Sequence, residues 1–410
     1  MEKLEALIIG AGVIGSSVAM HLAKQGMTRI RVVDFDLEGS LSSSELNAGG
    51  VRATWVQPIN IEMAKLTIEF FAQYRDQVGY RDCGYLWLHK PERFQAALAA
   101  RELQLARGWP VEAWDTAELK RRVPFIDKTD DLAGALFAPK DGLINPNLLK
   151  NYFREQARSL GVVFEDRVWV RKVDLATQSF MPHRIQAEKF ETAMSHETKL
   201  EVLSCSLSES RQKVEYSAER IINCAGAWAG KLAQIIGYTS PCHPVRRQIS
   251  LFDCRGLDLT PYGMIVDTSG VYFHPEGTNG LAGFATTGEP QGINFHYDGE
   301  EFFQEYIWPQ LYERSTYFER LKHVTGWAGL YDVSPDDCAI IGPVEMHHSS
   351  KNSQVYEAHS FSGHGIMHSY SAGLLLAEKI IKGSYQTLDA ELLNGSRFKD
   401  GKLIRESLII

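Results

Sequence analysis

The chain has 410 residues and a mass of 46.1 kDa. At roughly 150 residues per domain it holds about two or three domains, and a core of that size needs no metal or disulfide staple. With 44% hydrophobic and 23% charged residues the composition is that of a globular protein, which excludes wholesale disorder, collagen and a simple coiled coil. A net charge of −8 and a pI near 5.9 argue against nucleic acid or an anionic membrane as partner, leaving room only for a local basic groove.

The six cysteines form no CxxC pair. They read as free thiols of a reducing compartment, and a cytoplasmic location is expected. No run of ~18 apolar residues exists, so no membrane span is expected. Residues 6–20 are small and apolar, but Glu2 and Glu5 deny the start a positive charge and glycines recur within it. That is not a signal peptide.

Residues 4–9 read as a buried strand, followed at once by Gly10-Ala11-Gly12-Val13-Ile14-Gly15. Ile14, Val18, Ala19, Leu22 and Ala23 then recur at helical spacing, Gly26 stops the helix, and residues 30–34 form a second strand ending in Asp34. Residues 39–50 read as a loop, 58–78 as a helix, 84–89 as a strand and 91–122 as helices broken near Gly108. A helix over 145–160 precedes a strand over 162–164. Residues 168–219 alternate as antiparallel strands with a surface excursion near 180–200. The strand 220–224 turns into a helix through Ala225-Gly226-Ala227-Trp228, and 243–330 is rich in strands. The strand 355–361 leads through Ser362-Gly363-His364-Gly365 into a helix reaching Lys382.

The first unit is a dinucleotide fingerprint. Gly10 permits the tight turn, Gly12 lets a pyrophosphate approach the backbone, and Gly15 lets helix and strand pack closely. The helix N-terminus offers free N–H groups and a partial positive charge to phosphates. Asp34, 24 positions after Gly10, is placed to accept hydrogen bonds from ribose hydroxyls. The pattern alone does not separate FAD from NAD, but its place at the N-terminus and the second glycine-rich strand-to-helix turn in the last hundred residues point to FAD.

With that, the chain resembles the FAD-dependent amine and amino-acid oxidoreductases of the D-amino-acid oxidase superfamily. The nearest branch is that of sarcosine oxidase, dimethylglycine dehydrogenase, glycine oxidase and the β subunit of L-proline dehydrogenase. The resemblance rests on residues 8–34, Ala48-Gly49-Gly50-Val51-Arg52, residues 222–228, Gly329-Leu330-Tyr331-Asp332 with Pro335-Asp336, and residues 361–367. The ending Gly401-Lys402-Leu403-Ile404 also resembles this branch. It implies a mixed α/β fold, with a Rossmann-like FAD-binding domain (1–85, 145–240 and 325–410) interleaved with a substrate domain built on an antiparallel sheet (86–144 and 241–324). It implies that FAD is held by Gly10, Gly12, Val13, Ile14, Gly15, Asp34, Phe35, Ser43, Ser44, Gly49, Gly50, Val168, Ala225, Gly226, Trp228, Gly329, Gly363, His364, Gly365, Ile366 and Met367. Gly363-His364-Gly365 then opens a helix whose N-terminus faces the flavin pyrimidine edge, where reduced flavin carries negative charge.

The same resemblance gives Arg52 the grip on a substrate carboxylate, which a guanidinium fork binds bidentately; the structural alternative is an arginine paired with an acid. Met367 stands where relatives carry a lysine, so the carboxylate site has lost one cation, and the thioether either meets an apolar part of the substrate or only packs the helix start. Ala282 matches a lysine that helps oxidases activate oxygen, so its absence favours a dehydrogenase. Gly329 matches a cysteine that tethers flavin in some relatives, and no histidine occurs over 47–55; FAD is therefore expected to be non-covalent. Tyr272 and His274 share one face of a strand and are expected to face the active site, with His364 near the flavin; each is either catalytic or a satisfied buried polar group. His323, His347 and His348 show no ligand spacing, and no metal is expected. Arg246-Arg247-Gln248 is a short basic spot, too small for nucleic acid.

The expected activity is oxidation of the C–N bond of a small amino acid or secondary amine by hydride transfer to flavin N5, with electrons leaving to an unidentified acceptor. The alternatives are a flavin-binding subunit or assembly protein of a larger dehydrogenase, which would bring a partner subunit, and a hydroxy-acid oxidoreductase.

Overall fold

The computed structural model describes residues 2–176, 181–191, 199, 211–346 and 354–408. Cys205, His347 and His348 lie outside them, as do residues 180, 192–198 and 200 of the expected excursion near 180–200. The described part of that excursion, His183–Phe190, is a strand.

Ala6–Ile9 is buried along its whole length. A strand covered on both faces must be apolar at every position, which is how Ala-Leu-Ile-Ile reads. It pairs in parallel with Ile30–Val33 on one side and Ile221–Asn223 on the other. Val163–Glu165 and Val355–His359 extend this sheet outward, and Ile340–Pro343 closes one edge antiparallel to make six strands. The helix Val13–Lys24 lies on one face between the helices Pro146–Ser159 and Ser369–Lys382. Gly373 allows that approach, since a Cβ there would stand 2.2 Å from Ser17 Oγ. A four-stranded sheet of Lys3–Leu4, Arg211–Ala218, His183–Phe190 and Val168–Asp174 covers the other face. Leu7, Ile9, Val33 and Ile221 meet Val168, Val170, Ile185 and Tyr216 there.

The second large sheet has eight strands, in the order Lys322–Val333, His243–Asp253, Asn279–Phe284, Tyr272–Glu276, Met264–Val266, Tyr85–His89, Gly134–Ala138 and Glu112–Trp114. Neighbours run antiparallel except Met264–Val266 against Tyr85–His89, which is parallel. Its far face carries a core of Phe252, Phe273, Phe302, Phe303 and Phe318.

Three expectations change. The 91–122 region contains the strand Glu112–Trp114 between its helices Pro91–Ala106 and Thr116–Arg122. The 243–330 region is interrupted by helical turns from Gly299 to Phe318, including a π-turn over Phe303–Ile307. Pro309 follows that turn at the start of the next helix, and a proline ring crowds the carbonyl one turn back, which a π-turn relieves. The 58–78 helix divides at Tyr74 into Pro58–Gln73 and Arg75–Val78.

Candidate functional site

One continuous cavity runs along the C-terminal ends of Ala6–Ile9, Ile30–Val33 and Ile221–Asn223 and on to the near face of the eight-stranded sheet. At its first end, Gly10 has φ +105° and a Cβ there would stand 2.2 Å from Cys224 O. A Cβ at Gly15 would stand 1.9 Å from Gly10 O, so Gly15 builds the turn from below and does not line the cavity. Gly12 precedes the helix Val13–Lys24 with no side-chain cap of its own; the Val13 N–H donates to Ser44 Oγ at 2.9 Å. Exposed N–H groups at a helix start beside two serines are the chemistry a pyrophosphate needs.

Asp34 ends its strand and accepts from Ala11 N at 2.5 Å and Asp36 N at 2.9 Å. Burial raises its pKa against those hydrogen bonds. Phe35 meets Trp169 edge-on at 5.1 Å and Phe190 at 5.6 Å, and Val168 lines the same wall. Ala225, Gly226 and Trp228 also line the cavity, and the buried Trp228 Nε1 has no hydrogen-bond partner among the described residues. An orphaned donor on a long cavity with a glycine cradle and a ribose-side acid fits FAD.

The loop carrying Ser43, Ser44, Gly49 and Gly50 is fixed by its own contacts. Ser43 Oγ donates to Leu330 O at 2.5 Å. Asn47 donates to Ser44 O at 2.8 Å and accepts from Gly49 N at 2.7 Å. Gly329 lines the cavity against Leu46, 3.1 Å from a Cβ built there. Gly363 has φ +92° and lies under the Tyr331 ring. His364, Gly365, Ile366 and Met367 follow it along the cavity wall. The turn Ile366–His368 is a 3-10 helix and the α-helix proper begins at Ser369, later than the sequence implies.

Arg52 is 2% exposed and lines the far end of the cavity. Its guanidinium lies 3.5 Å from the Trp55 ring centroid and 4.9 Å from that of Trp87. It donates to Thr54 O at 2.7 Å and to Leu408 O. Among the described residues no carboxylate makes an ion pair with it; the Glu406 and Asp141 charges act from further off. Asp141 positions this segment by accepting from Ala53 N, Trp109 Nε1 and Thr54 Oγ1 at 2.9, 2.9 and 3.2 Å. Burial pushes its pKa up to about 7.

Tyr272 lines the cavity with its ring on Gly283. His274 shares its strand face but stands behind the wall, 2% exposed. Its Nδ1 lies 2.9 Å from Pro275 O, and burial pushes its pKa down to about 4. His364 lies 2.8 Å from Asp337 O through Nε2 and 3.3 Å from His368 through Nδ1. Burial pushes its pKa down to about 3, so at neutral pH it is a neutral group committed to the protein. Met367 is 5% exposed and packs in the core with Trp55 and Phe361. Ala282 faces away from the cavity, into the core with Phe252 and Phe273. A lysine there would be buried among phenylalanines, so the argument built on its absence falls. Tyr85, Trp55, Tyr331 and Arg247 also line the substrate end and were missed; Tyr331 lies within the Gly-Leu-Tyr-Asp segment and Arg247 within the basic spot.

The protein-family comparison matches residues 5–379 to the family described as "DAO: FAD dependent oxidoreductase". The chain is 30% identical to FAD-dependent oxidoreductase domain-containing protein 1 of Xenopus laevis, over 100% of this chain and 85% of that protein. It is 23% identical to mouse mitochondrial dimethylglycine dehydrogenase over 93% of this chain and 43% of that enzyme. Among solved structures, L-proline dehydrogenase from P. horikoshii has a TM-score of 0.78 at 22% identity, covering 98% of this chain and 99% of that one. Glycine oxidase from Geobacillus kaustophilus has 0.76 at 19%, covering 97% and 99%. The chain belongs to the DAO family of FAD-dependent oxidoreductases. It is an enzyme that uses FAD.

Proposed function

We propose that this enzyme oxidises the C–N bond of a small amino acid or secondary amine, with Arg52 holding the substrate carboxylate. The observation that carries this reading is a buried guanidinium on the cavity that no acid among the described residues pairs with. A buried cation without a counter-ion is costly, and a substrate carboxylate supplies the missing charge. Trp55 and Trp87 fix the plane of the guanidinium, which orients the α-carbon. Tyr272 and Tyr331 flank the carbon to be oxidised, and Met367 and Met264 give the site an apolar floor. Bound FAD supplies the hydride acceptor at N5. The nitrogen lone pair forms the C=N bond as the C–H bond breaks, so the amine must arrive neutral; neither His274 nor His364 is placed to take its proton. Water then hydrolyses the imine.

The strands 6–9, 30–33, 163–165, 221–223, 340–343 and 355–359 form the framework of the FAD-binding domain in this reading, and the eight-stranded sheet that of the substrate domain. FAD is held non-covalently, since Gly329 offers no nucleophile. A cytoplasmic location accords with the five free cysteines among the described residues, and no helix there is long and apolar enough to cross a membrane. Electrons leave to an acceptor other than oxygen: the lysine lining the cavity, Lys231, lies 5.3 Å from the Trp169 ring at the opposite end from Arg52. Anaerobic mixing with a panel of amino acids and N-methyl amino acids tests the activity. Bleaching of the flavin by at least one of them is expected. A flavin that none reduces, while dithionite does, would refute it. Faster reoxidation by air than by an artificial quinone would refute the dehydrogenase assignment.

A further inference from the structure

The strand His243–Asp253 sends alternate side chains to opposite faces. Arg246 and Gln248 lie on the sheet face away from the cavity, where Arg246 bonds Glu289 at 2.6 Å and Asp298 at 2.9 Å and Gln248 bonds Asp298 at 2.8 Å. Arg247 and Ile249 face the cavity. The Arg247 guanidinium lies 5.1 Å from the Tyr331 ring centroid. It makes a single hydrogen bond, from Nη1 to Arg246 O at 2.9 Å, and its buried Nε has no partner. No carboxylate among the described residues pairs with it; Asp337 and Arg247 sense each other's charge from beyond ion-pair distance. Most donors of this planar fork remain uncommitted.

The cavity thus holds two arginines that no carboxylate among the described residues pairs with. Arg52 stands against Trp87 on the strand Tyr85–His89, four strand steps across the sheet from His243–Asp253. The Arg52 charge bears on Tyr85, the Arg247 charge on Tyr272, and both on Tyr331. Both guanidinium groups therefore bear on one cavity at Tyr331, and a ligand there meets two positive charges.

We infer that Arg247 is a second anion-binding group of the substrate site, and that the preferred substrate is an amino acid carrying a second carboxylate. This rests on the assignment of Arg52 to the first carboxylate. Such a ligand neutralises both guanidinium groups, and a planar fork recognises each carboxylate bidentately.

Isosteric pairs test it: glutamate against glutamine, aspartate against asparagine, and their N-methyl forms. Dissociation constants come from the perturbation of the flavin spectrum under anaerobic conditions, and apply to unreactive ligands as well as substrates. At least one diacid is expected to bind tenfold or more tightly than its amide. Arg247→Met is expected to remove that preference by weakening the diacid far more than the amide, and Arg247→Lys to restore part of it. Equal binding of acid and amide by the wild type would overturn the inference, as would an equal loss for both in Arg247→Met, which would make Arg247 a structural partner of Asp337. If monocarboxylate amines bleach the flavin without any diacid advantage, the inference fails and the amine-oxidising function stands. If nothing binds or bleaches, both fail.

Discussion

At Arg52 a buried charge meets two aromatic faces and two carbonyls but no acid among the described residues, and its proposed role rests on that imbalance. Arg52→Met removes the cation and leaves a methionine of similar length over Trp55. Losing one partner of a desolvated charge pair costs about 2–5 kcal/mol. The value of kcat/KM for a carboxylate-bearing amine is therefore expected to fall between roughly 30-fold and 5000-fold, with KM carrying much of the change, and steady-state kinetics of the two proteins checks it. The buried histidines act on stability instead. His364 is held near 3 and His274 near 4 by burial, below the ordinary histidine value of about 6.5. The unfolded chain binds protons that the folded one refuses. Their neutral forms cost no stability above about pH 6.5, and stability is lost as pH falls from there toward the folded values. The melting temperature is expected to drop between pH 7 and 5, and His364→Gln to flatten that slope; thermal scans across the range measure both.

At the scale of single elements, the glycines define the cofactor turn through lack of room. A Cβ at Gly15 would collide with Gly10 O and one at Gly363 with the Tyr331 ring. Gly15→Ala is expected to yield protein with little bound flavin and a melting temperature several degrees lower. Gly363→Ala combines a strained φ with a clash at the substrate end, and is expected to keep FAD while losing substrate affinity. Flavin-to-protein absorbance ratios and substrate titrations separate the two outcomes. These glycines were legible in the sequence because their spacing and flanking strand and helix belong to one local unit. Asn145 at the start of Pro146–Ser159 and the strand to Asp34 were legible for the same reason. Ala282, His274 and Arg247 were not, because the face a strand residue occupies depends on register with distant partners. One step along a strand moves a side chain from cavity to core. Ala282 therefore reads as a cavity position in the sequence and lies among phenylalanines, whereas Arg247, one residue from the ion-paired Arg246, turns inward. Glu112–Trp114 was hidden because a three-residue edge strand is too short to show a period.

Across the whole molecule, the two large sheets share the chain without dividing it cleanly. The eight-stranded sheet takes segments from Tyr85 to Ala138 and from His243 to Val333, and the six-stranded sheet takes its strands from before, between and after them. Cleavage at an exposed loop between residues 91 and 134 would leave both fragments hydrogen-bonded into one sheet. Limited proteolysis there is expected to nick the chain on a denaturing gel without separating the pieces or releasing flavin on a sizing column.

The interleaving also sets an order in time. Ala6–Ile9 is made first, yet its neighbour Ile221–Asn223 follows some 200 residues later, and that strand's own partner, Val355–His359, later still. During synthesis the fingerprint helix and its strand leave the ribosome long before the surfaces that bury them exist. Pairing over such sequence distances is slow and exposes apolar surface while it waits. A product ended before residue 355 would leave one edge of Ile221–Asn223 unpaired and its apolar surface uncovered.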